Sequence, residues 1–541
     1  MKINQIKYLL LTVIVPLILF SGCDSNYLDP EPRTIYTEAE IWKTKENTYL
    51  YVNGFYKPIY EYGPYGNKYA GVALNDGFSD IVKYNQHVMG GNGGDVNKTI
   101  LSSIISVSNP VLSDYSYEYN RIRRINEFLY GLENYATFES SDITIMEAQA
   151  RFFRGFLHFM LVRSHGGIII RDYIDGPNEA YKARSTEDEC YDFITKELDF
   201  AADKLPVEWG RDQLGRLTKG AIYGYKSRVM LYAKRWQDAV DAAEEVIKEE
   251  GRLYELESDY DAIYKTKDSK EGVLTYRFGG TLGHSFHKYY CPKGDKSEGA
   301  IGIAVPTLEM VDSYKMSDGS LFDWNNPDHA ANPYKNREPR FYASILYNGS
   351  TWKGRTIETY VGGKDGFEKY AAPQTSGGTT TGFYIRKMLD EGAPMDGIST
   401  QSWYEVRYAE VLLNHAEALN ELGRGTEALK SLNKVRNRAK LPDITVSDKE
   451  TLREIIREER KVELAFEGHR LWDLRRWETA VQTLNGKRMH GTKITKNGAS
   501  FVYETVECDD ADRVFKESYY KLPVPQSEIN NNPLCKQTPL W

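Results

Sequence analysis

The sequence lacks the short motifs by which many enzymes and metal proteins are identified. Its five cysteines (Cys23, Cys190, Cys291, Cys508 and Cys535) include no CxxC pair, and no Cys/His spacing is typical of a zinc site. A GxSxG nucleophile motif, an HExxH helix, a phosphate-binding loop and a dinucleotide fingerprint are also absent. We therefore expect no catalytic residue, no metal and no cofactor.

The chain also lacks an excess of basic residues and, beyond its first 20 residues, a long apolar run. A net charge of −8 and a pI near 5.8 argue against a nucleic-acid partner, which would require a basic face. No later segment is apolar enough to cross a bilayer. In contrast, 41% hydrophobic residues in a chain of 541 support a large core, in one compact body or in several domains.

The N-terminal segment has the pattern of a lipoprotein signal. Two lysines precede an almost wholly apolar run over residues 8–20, which is short for a membrane span, and small residues then lead directly to Cys23. This pattern predicts a signal peptide over residues 1–22, acylation of Cys23, and a lipid-anchored tether over residues 23–36. The alternative, an uncleaved membrane anchor, is disfavoured because the run is short.

Two segments share one helical pattern at a constant offset of 189 residues, as from Ala239 to Ala428. The positions Tyr223, Ser227, Met230, Ala239, Ala243 and Val246 align with Leu412, Ala416, Leu419, Ala428, Leu432 and Val435. Small residues at shared positions allow close helix approach, as in tetratricopeptide units, which bury a continuous face by stacking on neighbours. We predict a mainly α fold built on a discontinuous, tetratricopeptide-like helical scaffold.

Helical periodicity fades between residues 269 and 400, where Gly, Pro, Tyr, Asn and Thr dominate. We predict here a large irregular, loop-rich insertion with few short strands. It separates an N-terminal helical part over residues 37–268 from a C-terminal helical part over residues 401–541. Because long irregular stretches in compact domains are usually functional, the insertion is the predicted ligand face. A Gly-, Tyr- and Asp-rich loop over residues 63–94 is also suited to ligand contacts.

A sugar is bound by aromatic rings that stack on its apolar faces and by polar groups that bind its hydroxyls. The insertion and the loop over residues 63–94 contain both kinds of group. The predicted ligand-binding residues are Asp76, Asp80, Tyr84, Tyr289, Tyr290, Trp324, Tyr347 and Trp352. For each ring the alternative is packing in the core, the commoner role of such a side chain.

The segment over residues 454–477, EIIREERKVELAFEGHRLWDLRRW, predicts a helix and the corner that ends it at Gly468. Three glutamates lie four residues apart on one helix face: Glu459, Glu463 and Glu467. A catalytic role is conceivable, but carboxylates beside tryptophan and arginine are usually structural. We predict that they are buried partners of the arginines that follow, Arg470, Arg475 and Arg476.

This segment resembles the C-terminal signature of the SusD/RagB family of Bacteroidetes surface lipoproteins. Other segments agree with the family pattern: NYLDPEPR near the N-terminus, YSYEYNRIRRIN, EAQARFFRGFLHFMLVRSHGG, REPRF and the closing LPVPQSEINNNPLCKQTPLW. Tyr115 stands where the family usually has Trp, and Ile170 replaces a usual Pro. The resemblance therefore spans nearly the whole chain.

The resemblance implies a non-enzymatic, lipid-anchored protein that faces the medium from the outer membrane. Such a protein captures oligosaccharide and delivers it to a SusC-like TonB-dependent transporter. Relatives of the RagB type leave peptide or glycopeptide cargo open. A surface glycoside hydrolase also stays open, because its carboxylate pair is defined by a separation in space and not by a sequence motif. A third alternative is an assembly protein without a small ligand.

Overall fold

The computed structural model of the chain describes residues 41–66, 75–85, 105–108, 111–176, 179–295, 302–368 and 378–541. The predicted signal peptide, Cys23 and the predicted tether lie outside these ranges, as do residues 67–74 and 86–94 of the predicted loop. Within the described ranges, no helix is both long and apolar enough to span a membrane.

Most regular structure in the described chain is helical. The N-terminal helices are α1 (Lys45–Gly54), α2 (Lys57–Glu61), α3 (Tyr115–Tyr135), α4 (Ser140–His165), α5 (Glu187–Lys204), α6 (Lys219–Tyr232) and α7 (Trp236–Ile247). Short helices follow in the middle of the chain: α8 (Phe286–Tyr290), α9 (Leu308–Ser313), α10 (Pro327–Ala331) and α11 (Pro339–Ser344). The C-terminal helices are α12 (Tyr408–Glu421), α13 (Gly425–Arg438), α14 (Lys449–Glu463), α15 (Arg470–Arg476), α16 (Ala480–Leu484) and α17 (Gln526–Asn531).

The strands are short and pair only in twos among the described residues. They are β1 (Val82–Tyr84), β2 (Gly272–Tyr276), β3 (Ala304–Pro306), β4 (Ile345–Leu346), β5 (Thr351–Trp352), β6 (Arg355–Thr356), β7 (Tyr384–Ile385), β8 (Trp403–Arg407), β9 (His490–Asn497) and β10 (Ser500–Glu507). All pairs are antiparallel: β1 with β3, β2 with β8, β4 with β7, β5 with β6, and β9 with β10. The predicted mainly α fold with few short strands in the insertion is confirmed.

The long helices stack in sequence order, α3 on α4, then α5, α6 and α7, and onward through α12 to α13 and α14. The 189-residue repeat coincides with the pairs α6–α7 and α12–α13, and α7 packs on α12. Ala239 and Ala428 are fully buried, as the repeat requires. Side-chain caps mark the starts of some of these helices; Thr186 and Glu189 form a capping box on α5, and Asp448 caps α14.

A set of buried charged groups around the end of α14 joins the insertion to the helical scaffold. This carboxylate network comprises Glu271, Glu459, Glu463, Glu467, Arg340, Lys387, Arg407, Arg436 and Arg438. The Glu463 carboxylate accepts hydrogen bonds from Arg340 at 3.0 Å and from Arg407 at 2.6 Å. Since Arg340 and Lys387 belong to the insertion, the network anchors it to α14.

The three glutamates Glu459, Glu463 and Glu467 are therefore buried structural partners, as predicted, but the predicted arginine partners were wrong. Arg470 pairs with Asp80, and Arg476 pairs with Glu417 and Asp473. The true partners lie far away in sequence, where spacing along one helix gives no information. The helix also ends earlier than predicted, at Glu463, before the left-handed residues Phe466 (φ 67°) and Gly468 (φ 82°).

Candidate functional site

Two of the sequence-predicted residues, Asp76 and Asp80, lie in the interior against the corner that follows α14. Asp80 is 5% exposed and accepts two hydrogen bonds from Arg470, at 2.8 and 2.9 Å. Burial alone would raise the pKa of Asp80, but Arg470 and Lys461 hold it well below its usual range. Asp76 accepts one hydrogen bond from the Gly468 N–H at 3.0 Å, and burial raises its pKa to about 7.

Three of the predicted aromatic residues are also buried. Tyr84 is fully buried, and a Cβ placed on Gly77 would come 2.2 Å from its ring. The Tyr290 ring stacks on Phe286 with centroids 4.2 Å apart. Trp352 is 2% exposed, and its indole N–H donates to Asp295 at 2.6 Å. In the structure these rings are part of the core and have almost no surface to offer a ligand.

The remaining predicted residues, Tyr289, Trp324 and Tyr347, are half-buried. Tyr289 lies between two neighbouring segments: its carbonyl accepts from the Ile303 N–H at 3.0 Å, and the Ile303 carbonyl accepts from the Asn85 N–H at 2.9 Å. Trp324 and Tyr347 lie elsewhere in the insertion, each in contact with other rings. The eight predicted residues therefore do not form a single site.

Trp324 and Tyr347 belong to two groups of rings that the guanidinium of Arg337 bridges, and we call the two groups together the aromatic belt. It consists of Phe322, Trp324, Tyr334, Phe341, Tyr342, Tyr347 and Tyr503. Phe322 meets Trp324 edge-on at 5.0 Å between centroids, and Tyr347 stacks on Phe341 at 5.2 Å. Phe341 is buried and Tyr334 nearly so, whereas the other five rings are half-buried. The belt thus has an inner layer in the core and an outer layer towards solvent.

Arg337 joins the two ends of the belt. Its guanidinium carbon lies 4.4 Å from the centroid of Phe322 and 4.9 Å from that of Phe341. The same group donates to the carbonyls of Val311 at 2.6 Å and Tyr314 at 2.7 Å, which fixes its position. Burial lowers the pKa of Arg337 to about 10, so the side chain is still a cation at neutral pH. The belt is therefore a rigid surface.

Polar groups border the outer rings. The Trp324 indole N–H donates to Asp312 at 2.9 Å, and burial raises the pKa of that carboxyl to about 6. Asp323 and Asn325 are exposed on either side of Trp324. Near the Tyr347 end, the half-buried Arg386 donates to the Tyr342 carbonyl at 3.0 Å. Rings with a polar border of this kind suit a sugar, because the rings can stack on its apolar faces and the polar groups can bind its hydroxyls.

Sequence reasoning missed three outer rings of the belt, Phe322, Tyr342 and Tyr503. Phe322 had a detectable signal, since it lies two residues before Trp324 in the same polar turn. Tyr503 comes from the β9–β10 hairpin, more than 150 residues after the rest of the belt. It reaches Tyr334 at 5.7 Å, a contact that sequence spacing cannot reveal.

Comparison with known protein families shows which family this chain belongs to. The profile described as "SusD family" matches residues 263–541, just over half of the chain and including the whole belt. The chain belongs to the SusD family. A second profile, described as "Starch-binding associating with outer membrane", matches residues 27–231 of this SusD-family chain.

Individual relatives agree with this assignment over almost the full length. SusD-like protein P2 of Formosa agariphila is 27% identical, with 96% of this chain and 97% of the relative covered. A SusD-like protein of Bacteroides fragilis has a solved structure that is 30% identical, with a TM-score of 0.80 and coverage of 93% and 98%. A second B. fragilis structure, described as a SusD-like carbohydrate binding protein, is 25% identical, with a TM-score of 0.77 and coverage of 92% and 100%.

Cys190, Cys291, Cys508 and Cys535 are buried free thiols, and burial raises the pKa of each. Across the described ranges, no group of three or more His, Cys, Asp or Glu residues is arranged to hold a metal ion.

Proposed function

We propose that this chain captures oligosaccharide at the cell surface on its aromatic belt and delivers it to a SusC-like TonB-dependent transporter. Acylation of Cys23 would hold it in the outer membrane, facing the medium. In this proposal the chain binds and releases its cargo without breaking a bond.

The observation that carries the proposal is the belt of half-buried rings that Arg337 holds together. Trp324 and Tyr347, chosen from sequence as sugar-stacking rings, belong to its two ring groups, which share this guanidinium and have a polar border. The family description and the carbohydrate binding described for the B. fragilis relative support the same ligand class. We propose Trp324 and Tyr347 as contacts, with Tyr289 as a separate candidate beside Asn85 and Ile303.

Calorimetric titration of the soluble chain, starting after Cys23, with a panel of oligosaccharides tests the proposed ligand class. For the glycan that binds, Trp324→Ala and Tyr347→Ala should each weaken the affinity about 3- to 10-fold, the usual value of one stacked ring. Tyr130→Ala is the matched control, because Tyr130 is 50% exposed on α3 and is not part of the belt. Its affinity should equal that of the wild type.

Three results would contradict the proposal. Binding of no glycan, together with binding of peptides, would favour peptide cargo. Release of shortened sugars by the purified chain would favour a glycoside hydrolase. Wild-type affinity in both belt variants would move the site away from the belt, and Tyr289→Ala would then be measured.

The transporter partner requires a separate measurement. The full lipidated chain, purified from outer membranes in detergent, should carry a TonB-dependent barrel that mass spectrometry identifies. A Cys23→Ser variant should no longer be recovered with the membrane fraction. Purification of the lipidated chain without such a barrel would contradict the delivery step while leaving glycan capture intact.

A further inference from the structure

A second concave site lies on the helical scaffold, between the end of α4, the start of α5, the α6–α7 turn, α15 and α16. Its cavity volume is about 760 Å³, within the range of small-molecule sites. We call it the basic pocket and define it by Arg163, Tyr232, Trp472, Arg475, Tyr520 and Lys521. None of these residues belongs to the aromatic belt.

Arg163 is the feature that sets this pocket apart. Its guanidinium carbon lies 3.8 Å from the centroid of Trp472, so the cation rests on the indole face. Within the described part of the chain, Arg163 forms no ion pair at 4.0 Å or less, and its buried Nε has no hydrogen-bond partner. A half-buried guanidinium without an anion is unfavourable unless a ligand supplies one.

Among the described residues, no carboxylate that lines the cavity forms an ion pair with Arg163, and several of them are paired with other cations. Lys521 contacts Glu187 at 2.7 Å, and Lys234 contacts Glu478 at 3.0 Å. Arg476 contacts Asp473 at 2.7 Å. The carboxylates of these pairs are thus engaged. Two further acidic residues, Asp188 and Glu517, line the cavity but form no ion pair with Arg163 among the described residues. Arg163 is therefore a cation of the pocket that has no anion of its own.

The walls of the pocket also include ring surfaces. Tyr232 and Tyr520 are half-buried and line the cavity. The Tyr520 hydroxyl accepts from the Val481 N–H at 3.1 Å, and Tyr232 meets Phe159 edge-on at 5.1 Å, so both rings are held in place. The cavity therefore combines one cation with fixed faces on which a sugar ring can rest.

We infer that the basic pocket binds a uronic acid, with its carboxylate paired to Arg163 and its ring against Tyr232 and Tyr520. A guanidinium matches a carboxylate through two parallel hydrogen bonds, which also fixes the orientation of the sugar. This site is independent of the aromatic belt and of the proposed glycan capture there. It selects sugars by charge, whereas the belt offers stacking surfaces.

Calorimetric titration of the soluble chain with sodium D-glucuronate, D-glucose and sodium acetate tests the inference. Glucuronate should bind, whereas glucose and acetate at equal concentrations should give no saturating signal. Arg163→Met keeps an apolar chain on Trp472 but removes the cation, and should weaken glucuronate binding about 10- to 100-fold, the value of a charge-assisted pair. Arg163→Lys keeps the charge but cannot form two parallel hydrogen bonds, so its affinity for glucuronate should lie between that of Arg163→Met and that of the wild type.

Arg457 provides a matched control on another tryptophan. Its guanidinium carbon lies 5.0 Å from the centroid of Trp477, but the side chain donates to Glu454 at 2.8 Å and lies outside the pocket. Arg457→Met and the belt variant Trp324→Ala should both bind glucuronate as wild type does. A loss in Trp324→Ala would place the uronic acid on the belt and overturn the inference.

Other outcomes are equally decisive. Absence of glucuronate binding, or wild-type affinity in a folded Arg163→Met variant, would overturn the inference. Acetate binding as tight as glucuronate binding would mean that the pocket accepts any carboxylate, and the sugar assignment would fall. Should Arg163→Met not fold, Arg163→Lys decides, because unchanged affinity in that variant would remove the need for a guanidinium.

Discussion

Two arginines of the same REPRF segment have opposite environments. Arg340 is 1% exposed and donates to the carboxylates of Glu338 and Glu459, each at 2.6 Å, within the buried charges around α14. Arg337 donates to backbone carbonyls and lies between the rings of Phe322 and Phe341. One side of the segment thus anchors the insertion, and the other side shapes the surface that it presents.

The difference between these two environments predicts that the carboxylate network stabilises the fold, whereas the outer rings of the belt serve ligand binding. In the carboxylate network each charge has several buried partners, so removal of one group leaves an excess of the opposite charge in the interior. In the outer layer of the belt, a ring can be lost while its neighbours remain packed on Phe341 and Tyr334. We therefore expect network substitutions to lower the free energy of unfolding, and belt substitutions to lower ligand affinity.

The largest expected effect is that of Glu463→Gln. The fully buried Glu463 contacts Arg340 and Arg407, and its loss leaves the buried cations of the network one negative charge short. The free energy of unfolding should fall by about 3–5 kcal/mol, measured by urea denaturation. Glu454→Gln, on the exposed side of the same helix, is the control and should change it by less than about 0.5 kcal/mol. Equal effects in the two variants would mean that the network does not anchor the insertion.

Acidification should weaken the same network. Burial opposes ionisation of Glu467, but Arg407 and Lys387 outweigh it and lower its pKa from 4.5 to about 2. Because the pKa is lower in the folded chain, the stabilisation is fully present above the unfolded pKa and is lost as the pH falls from about 4.5 through 2. Between pH 6 and pH 3, Glu467 alone should contribute about 2 kcal/mol to this loss. The urea unfolding midpoints of the wild type at pH 6 and pH 3 measure the loss, and the difference between the two midpoints should be smaller in Glu467→Gln. An equal difference in the wild type and the variant would mean that other carboxylates cause the loss.

Much of the scaffold could be predicted from sequence because its signals are local. The 189-residue offset identified two helix pairs, since small residues such as Ala239 and Ala428 recur where helices touch. The irregular character of the insertion was visible in the same way, from the loss of periodicity. The partners of Glu463 were not visible, because Arg340 and Arg407 approach from distant segments.

The candidate site was less predictable for a related reason. In strands of two or three residues, the sequence does not indicate which side chains face the core. Tyr84 and Trp352, predicted as ligand contacts, face the core in the structure. Gly77, on which the Tyr84 ring packs, and Asp295, which accepts from Trp352, account for their burial. Trp324 lies in a polar turn whose composition indicated exposure, and it is half-buried there.

A third expected effect concerns Asp76, next to the network but not paired within it. Burial raises its pKa from 3.8 to about 7, and its Oδ1 has no hydrogen-bond partner among the described residues. Because the folded pKa is raised, the contribution of Asp76 to stability is fully present below pH 3.8 and is lost as the pH rises through 7. Asp76→Asn should therefore stabilise the chain by about 1–3 kcal/mol at pH 8 and by much less at pH 4, measured by urea denaturation. Destabilisation at both pH values would mean that the carboxylate is needed by Gly468.

The smallest expected effect separates the ring of Tyr347 from its hydroxyl. Tyr347→Phe keeps the stack on Phe341, so the free energy of unfolding should change by less than about 0.5 kcal/mol. If the belt holds glycan by stacking, affinity should fall less than about 3-fold in Tyr347→Phe but about 3- to 10-fold in Tyr347→Ala. Calorimetric titration of both variants with the same glycan makes the comparison. Equal losses would assign the contact to the hydroxyl, and the belt would then act through its polar border.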